Sequence, residues 1–115
     1  MRNFILVRTS FEGWHCWKGA PIEVDFLKNL HRHVFHVELK VHVNHKDRAL
    51  EFFMVQHFLN DIIKKKWPDG HLGSMSCEMV AQEILDAFCV QYGHKKGGLS
   101  VYVSEDNENG GGVEI

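Results

Sequence analysis

Nine histidines in 115 residues is the unusual feature of this chain, and two of them stand as His31-Arg32-His33. In a strand, alternation turns both imidazoles to one face with Cβ atoms roughly 6–7 Å apart, a spacing that fits two ligands on one ion. His15 is the candidate third ligand: it ends the first strand, and the loop 16–30 can return the chain beside it. Three neutral imidazoles with one open position form the pattern of a catalytic zinc, bound at ~2.0–2.1 Å per ligand. The sequence therefore predicts Zn2+ on His15, His31 and His33. The other histidines, His36, His42, His45, His57, His71 and His94, are read as surface or hydrogen-bonded residues.

The elements that must position these three follow from periodicity. Residues 3–11 are β-branched and aromatic and read as a strand. Residues 16–29 carry Gly19 and Pro21 with no clean period, and read as a loop with room for a short helical turn. Residues 31–44 alternate strictly, with His33, Phe35, Val37, Leu39, Val41 and Val43 on one face and His36, Glu38, Lys40 and His42 on the other. Asp47 is the candidate cap of a helix over 49–67, whose stripe is Phe52, Val55, Leu59, Ile62 and Ile63. Pro68-Asp69-Gly70 stops it. A second helix starts at a Ser76 cap, carries Met79, Val80, Ile84, Leu85 and Phe88 inward, and ends by Gly93 and Gly97-Gly98. Residues 99–104 are a last strand, and Asn109-Gly110-Gly111-Gly112 reads as a flexible tail or tight turn. Strands with a helix pair between them make an α+β class, with one sheet face left for another subunit to cover.

Composition narrows the function. One domain spans 1–115, long enough to bury a core. The net charge of −2 gives no basic surface for nucleic acid, and Lys64, Lys65 and Lys66 suit the negative end of a helix dipole. No apolar run reaches the ~20 residues a membrane helix needs, and Met1-Arg2-Asn3 has no signal-peptide pattern. Three cysteines, Cys16, Cys77 and Cys89, form no close pair, which predicts reduced thiols in the cytoplasm.

Five stretches, in order between residues 11 and 105, resemble a known family. Phe11-Glu12-Gly13-Trp14-His15 resembles a first-strand motif that ends in a zinc histidine. Leu30-His31-Arg32-His33-Val34-Phe35 resembles a His-Gly-His-x-Tyr/Phe strand, with Arg32 in place of glycine. Leu50-Glu51-Phe52 resembles the hydrophobic-Asp-Phe entry to a long helix, and Ser76-Cys77-Glu78-Met79-Val80-Ala81 a Thr/Ser-x-Glu-Asn-x-Ala helix opening. Val103-Ser104-Glu105 resembles a late strand whose glutamate anchors a pterin ring. Together they resemble the 6-pyruvoyl- and 6-carboxytetrahydropterin synthases.

The resemblance implies a T-fold: a four-stranded antiparallel sheet, two helices packed on one face, and subunits assembled as trimers or hexamers. It implies a pterin or purine-like small-molecule ligand of the dihydroneopterin triphosphate class, and a lyase that acts on it. Glu105 would anchor the ring, because one carboxylate accepts both side-by-side N–H donors of a 2-amino-4-oxo system. Glu78 would be a further substrate contact. The chain departs from the family at the acid–base group. No cysteine lies in 22–30, which leaves Asp25 or Glu23 as replacements, and the usual Asp-His pair is Asp69 and His71 with Gly70 between them. Cys16, next in the chain to His15, is expected to point the opposite way. The alternative is a catalytically inactive T-fold protein that binds a pterin or purine nucleotide.

Overall fold

Residues 31–43 run through the middle of the sheet, and their burial alternates as the side chains do. Phe35, Val37, Leu39 and Val41 are buried, while His36, Glu38, Lys40 and His42 are only partly covered. The computed structural model describes residues 1–93 and 97–115, so His94 lies outside the described residues. In chain order the elements are β1 (Asn3–His15), a kinked 3₁₀ segment (Ile22–Lys28), β2 (His31–Val43), α1 (Phe52–Lys66), β3 (His71–Gly73), α2 (Cys77–Tyr92), β4 (Leu99–Glu105) and β5 (Gly110–Glu114).

The sheet order is β3-β1-β2-β4-β5. The pairs β1/β2, β2/β4 and β4/β5 are antiparallel, and β3 runs parallel to β1. The α+β class holds, but the sheet has five strands and is mixed, where four antiparallel strands were expected. The extra strand has a local cause. After α1, Gly70 turns the chain along the end of β1, with Trp14 N donating to Gly70 O at 2.8 Å and Cys16 N to Gly73 O at 2.9 Å. Gly70 is required there: its φ is +70°, and a Cβ would lie 2.2 Å from Glu12 O.

The C-terminal tail is a strand rather than loose chain. Asp106 and Asn107 have φ of 53° and 60°, the left-handed pair that matches the twist of a two-residue hairpin turn. Glu108 N donates to Glu105 O at 3.0 Å, and the chain returns as β5.

Both helices cover the same face. Val55, Leu59 and Ile63 of α1 and Val80, Ile84, Leu85 and Phe88 of α2 join the odd-numbered residues of β2 in one core. The cap of α1 is Glu51, not Asp47: its carboxylate accepts from Phe53 N at 3.0 Å and Met54 N at 3.1 Å, so the helix begins later than expected. Ser76 caps α2 as expected, accepting from Met79 N at 3.2 Å. Phe52 and Met79, placed in the stripes by periodicity, are exposed at the first turns. No described helix is long and apolar enough to cross a membrane.

Candidate metal centre and the adjoining cavity

The antiparallel register pairs His15 with His31, and His33 follows two residues along the same face. The three rings pack edge to face, with centroids 4.6 Å (His15–His31), 5.0 Å (His31–His33) and 5.4 Å (His15–His33) apart. One ligand atom from each lies within 4.8 Å of the others, so these residues could hold one metal ion.

Each ring is oriented through its Nδ1. His15 Nδ1 lies 2.9 Å from Met75 O and His31 Nδ1 lies 2.8 Å from Asn29 O. His33 Nδ1 lies 2.7 Å from Asp106 Oδ2. Each partner is an acceptor, so each Nδ1 carries the proton and each Nε2 presents a lone pair, as a metal-ligating imidazole requires. The three Nε2 atoms are buried and make no hydrogen bond, with the Glu105 carboxylate beside two of them, at 2.9 Å from that of His15 and 3.6 Å from that of His33. Burying an acceptor without a hydrogen bond costs on the order of 1–3 kcal/mol, and two acceptors as close as His15 Nε2 and a Glu105 oxygen repel, both of which a shared cation would offset. The residues present fit a metal ion on this ground.

Local chain geometry makes this possible. β3 carries the chain past β1 and delivers the Met75 carbonyl to His15. The turn after β4 delivers Asp106 to His33, and the same carboxylate accepts from Val34 N at 2.9 Å. Hydrogen bonding from His33 is the main reason that the Asp106 carboxyl is held below its usual range, with help from Val34 N. Arg32 points away from the site and pairs with Glu12 at 3.0 Å, so an arginine in place of glycine leaves the histidine face undisturbed.

A cavity of about 520 Å³ opens beside the histidines, lined by His15, Cys16, Trp17, Leu27, His31, Met75, Cys77, Glu78, Met79 and Glu105 among others. Cys16 is therefore a wall residue. β1 ends at His15, so strand alternation does not carry through to Cys16 and the expected opposite orientation does not keep it from the cavity. Glu78 lies against the glycine run of β5, where a Cβ on Gly111 would fall 2.6 Å from its Oε1. Glu105 stands close to the histidines, with Oε2 at 2.9 Å from His15 Nε2. Cys77 is buried, and that burial, with Glu105 and Glu78 nearby, pushes its thiol up to about 12. It is a protonated neighbour of Glu105, with Sγ 3.9 Å from Oε2.

Asp25, Asp69 and His71 are placed elsewhere. Asp25 sits on the 3₁₀ segment and pairs with Lys28 at 2.8 Å. Asp69 and His71 are exposed around the start of β3, and none of the three lines the cavity. Sequence reasoning missed Asp106. The available signal was Asp106-Asn107, two residues that tolerate left-handed backbone, directly after a strand that ends at the cluster. Compared with known proteins, the chain matches no family model and no curated protein.

Proposed function

We propose that this chain is a zinc-dependent protein of the 6-pyruvoyl- and 6-carboxytetrahydropterin synthase type, acting on a reduced pterin in the cavity beside the histidines. The observation that carries the proposal is the convergence of three buried Nε2 atoms that make no hydrogen bond, beside a cavity that His15 and His31 line. A Zn2+ ion bound there would supply a Lewis acid for an oxygen on the ligand's side chain. The apolar walls, Trp17, Leu27, Met75 and Met79, suit the faces of a flat ring. Two carboxylates of the wall, Glu78 and Glu105, suit paired N–H donors of a 2-amino-4-oxo edge. Cys16 stands in the wall next to His15, and is the candidate to exchange a proton with the bound ligand in place of the missing cysteine.

The proposal includes assembly and compartment. Phe4, Leu6 and Tyr102 are exposed on the sheet face turned away from the helices, and a homo-oligomer, a trimer or hexamer in the T-fold manner, would cover them. A second copy would also be the source of Asp69 and His71, which a single chain leaves outside its own cavity. None of the three thiols forms a disulfide, in keeping with a reducing cytoplasm.

A second reading keeps the metal and the ligand but not the chemistry. The exposed positions of Asp25, Asp69 and His71 favour it. Incubating the zinc-loaded protein with dihydroneopterin triphosphate separates the two. Loss of the triphosphate with formation of a tetrahydropterin product supports the synthase. Binding seen by calorimetry without turnover supports the binder. Neither binding nor turnover at millimolar ligand overturns both.

A further inference from the structure

The sheet face turned away from the helices settles its charges in pairs between β1 and β2, except at one end. Arg8 meets Glu38 at 2.8 Å, and Arg32 meets Glu12 at 3.0 Å. Toward the start of β1 and the end of β2 the pairing stops: Lys40 stands opposite Leu6, and His42 opposite Phe4. Among the described residues Arg2 and Lys40 form no ion pair. The His42 Nδ1 beside them is buried without a hydrogen-bond partner.

These groups are held together by what they pack on. Phe4 gathers two of them: Lys40 Nζ lies 4.2 Å from its ring centroid, and the His42 ring centroid lies 5.9 Å away. The chain entering β4 presses on the imidazole. His42 N donates to Gly98 O at 2.7 Å, and a Cβ on Gly98, whose φ is +80°, would fall 2.8 Å from His42 Cδ2. Burial, then Arg2, then Lys40 hold this imidazole below its ordinary range, so both cations act on the one ring. Arg2, Lys40 and His42 line a cavity of about 430 Å³ with Ser100 and Glu114 among others. Glu114 is the one side-chain carboxylate of that wall, and it pairs with neither cation.

Two neighbouring cations without a counter-charge repel, and a bound anion removes that cost. A phosphate suits this set better than a carboxylate. It brings up to two negative charges and enough acceptor oxygens to serve a guanidinium fork, an ammonium and an imidazole N–H at once. We propose that this end of the sheet is a binding site for a small phosphate-bearing anion, held by Arg2, Lys40 and His42. The imidazole donates through Nε2, which is not closed off as Nδ1 is. The cavity has room for an organic group on the phosphate. His42 stands nine residues along β2 from His33, roughly 30 Å at strand rise, so the site rests on neither the metal nor the pterin reading.

The test follows the His42 imidazole of the full chain by proton NMR while inorganic phosphate is added at fixed pH and low ionic strength. Loss of the signal in His42→Gln assigns it. Phosphate taken up at the histidine cluster does not move this resonance, because the two ends of β2 are too far apart. A saturable shift is expected, with an apparent Kd of about 1 mM or lower. Lys40→Gln and Arg2→Gln are each expected to weaken binding by about tenfold or more, the loss of one hydrogen bond between charged groups. Lys40→Arg is expected to keep most of the affinity. Arg8→Gln removes a cation of the same face that already has a partner, and is expected to leave the binding nearly unchanged. A His42 resonance that phosphate does not move, or moves without saturation, overturns the inference. So does a loss in Arg8→Gln as large as that in Lys40→Gln, which would mean diffuse surface charge and no site.

Discussion

Asp106 Oδ2 accepts a hydrogen bond from His33 Nδ1 at 2.7 Å, while Oδ1 of the same carboxylate accepts from Val34 N at 2.9 Å. One side chain at the tip of the β4–β5 hairpin thus clamps a candidate metal ligand and the strand that carries it. His15 and His31 lean on backbone carbonyls instead. The carboxylate makes His33 the most electron-rich of the three imidazoles and fixes its tautomer.

Asp106→Asn should therefore weaken Zn2+ binding by about 10–100-fold with little loss of fold, because the amide can still accept at one atom. Chelator competition measures the affinity, and circular dichroism the fold. Unchanged affinity would mean that the clamp serves only the hairpin.

The buried Cys77 thiol predicts a pH dependence. Its folded pKa is raised from 9.0 to about 12, chiefly by burial. Below the ordinary thiol value both states hold the proton, and the group adds no pH dependence. Above it the unfolded chain ionises first, so stability falls as pH rises from about 9 toward 12, by at most about 1.4 kcal/mol per pH unit. Urea denaturation of wild type and Cys77→Ala at pH 8, 9 and 10 isolates this contribution, since the variant lacks the titrating thiol. The gap between the two should narrow as pH rises, and a constant gap would refute the assignment.

Gly70 should tolerate no side chain. With φ at +70° and a Cβ position 2.2 Å from Glu12 O, Gly70→Ala strains the turn and pushes on β1 at once. A loss of about 1–3 kcal/mol is expected from the backbone conformation alone, with more from the contact. Because Gly70 O also receives Trp14 N, metal affinity should drop as well. A variant as stable as wild type would show that β3 does not fix the site.

Much of this architecture was legible in the residues. The alternation of 31–43 showed a half-buried strand with His31 and His33 on its inner face, and the stripe Val55, Leu59, Ile63 showed α1. These patterns are local consequences of periods of two and of 3.6, so one sequence suffices to show them. What stayed hidden depends on contacts distant in sequence. β3 is three residues long and exists because Gly70 and Gly73 meet Trp14 and Cys16 across the fold. The carbonyls of Met75 and Asn29 that orient two histidines carry no residue signature at all. Glu105 illustrates the same limit. Its identity suggested a ring anchor, and only the fold shows its carboxylate 2.9 Å from His15 Nε2.

The central claim is that His15, His31 and His33 hold a metal ion, and metal analysis of protein purified without a histidine tag tests it most directly. After equilibration with Zn2+ and dialysis, wild-type protein should retain one zinc per chain, and folded His33→Ala and His15→Ala should retain almost none. Wild-type protein without bound zinc, or a folded His33→Ala variant that keeps a full equivalent, would contradict the account.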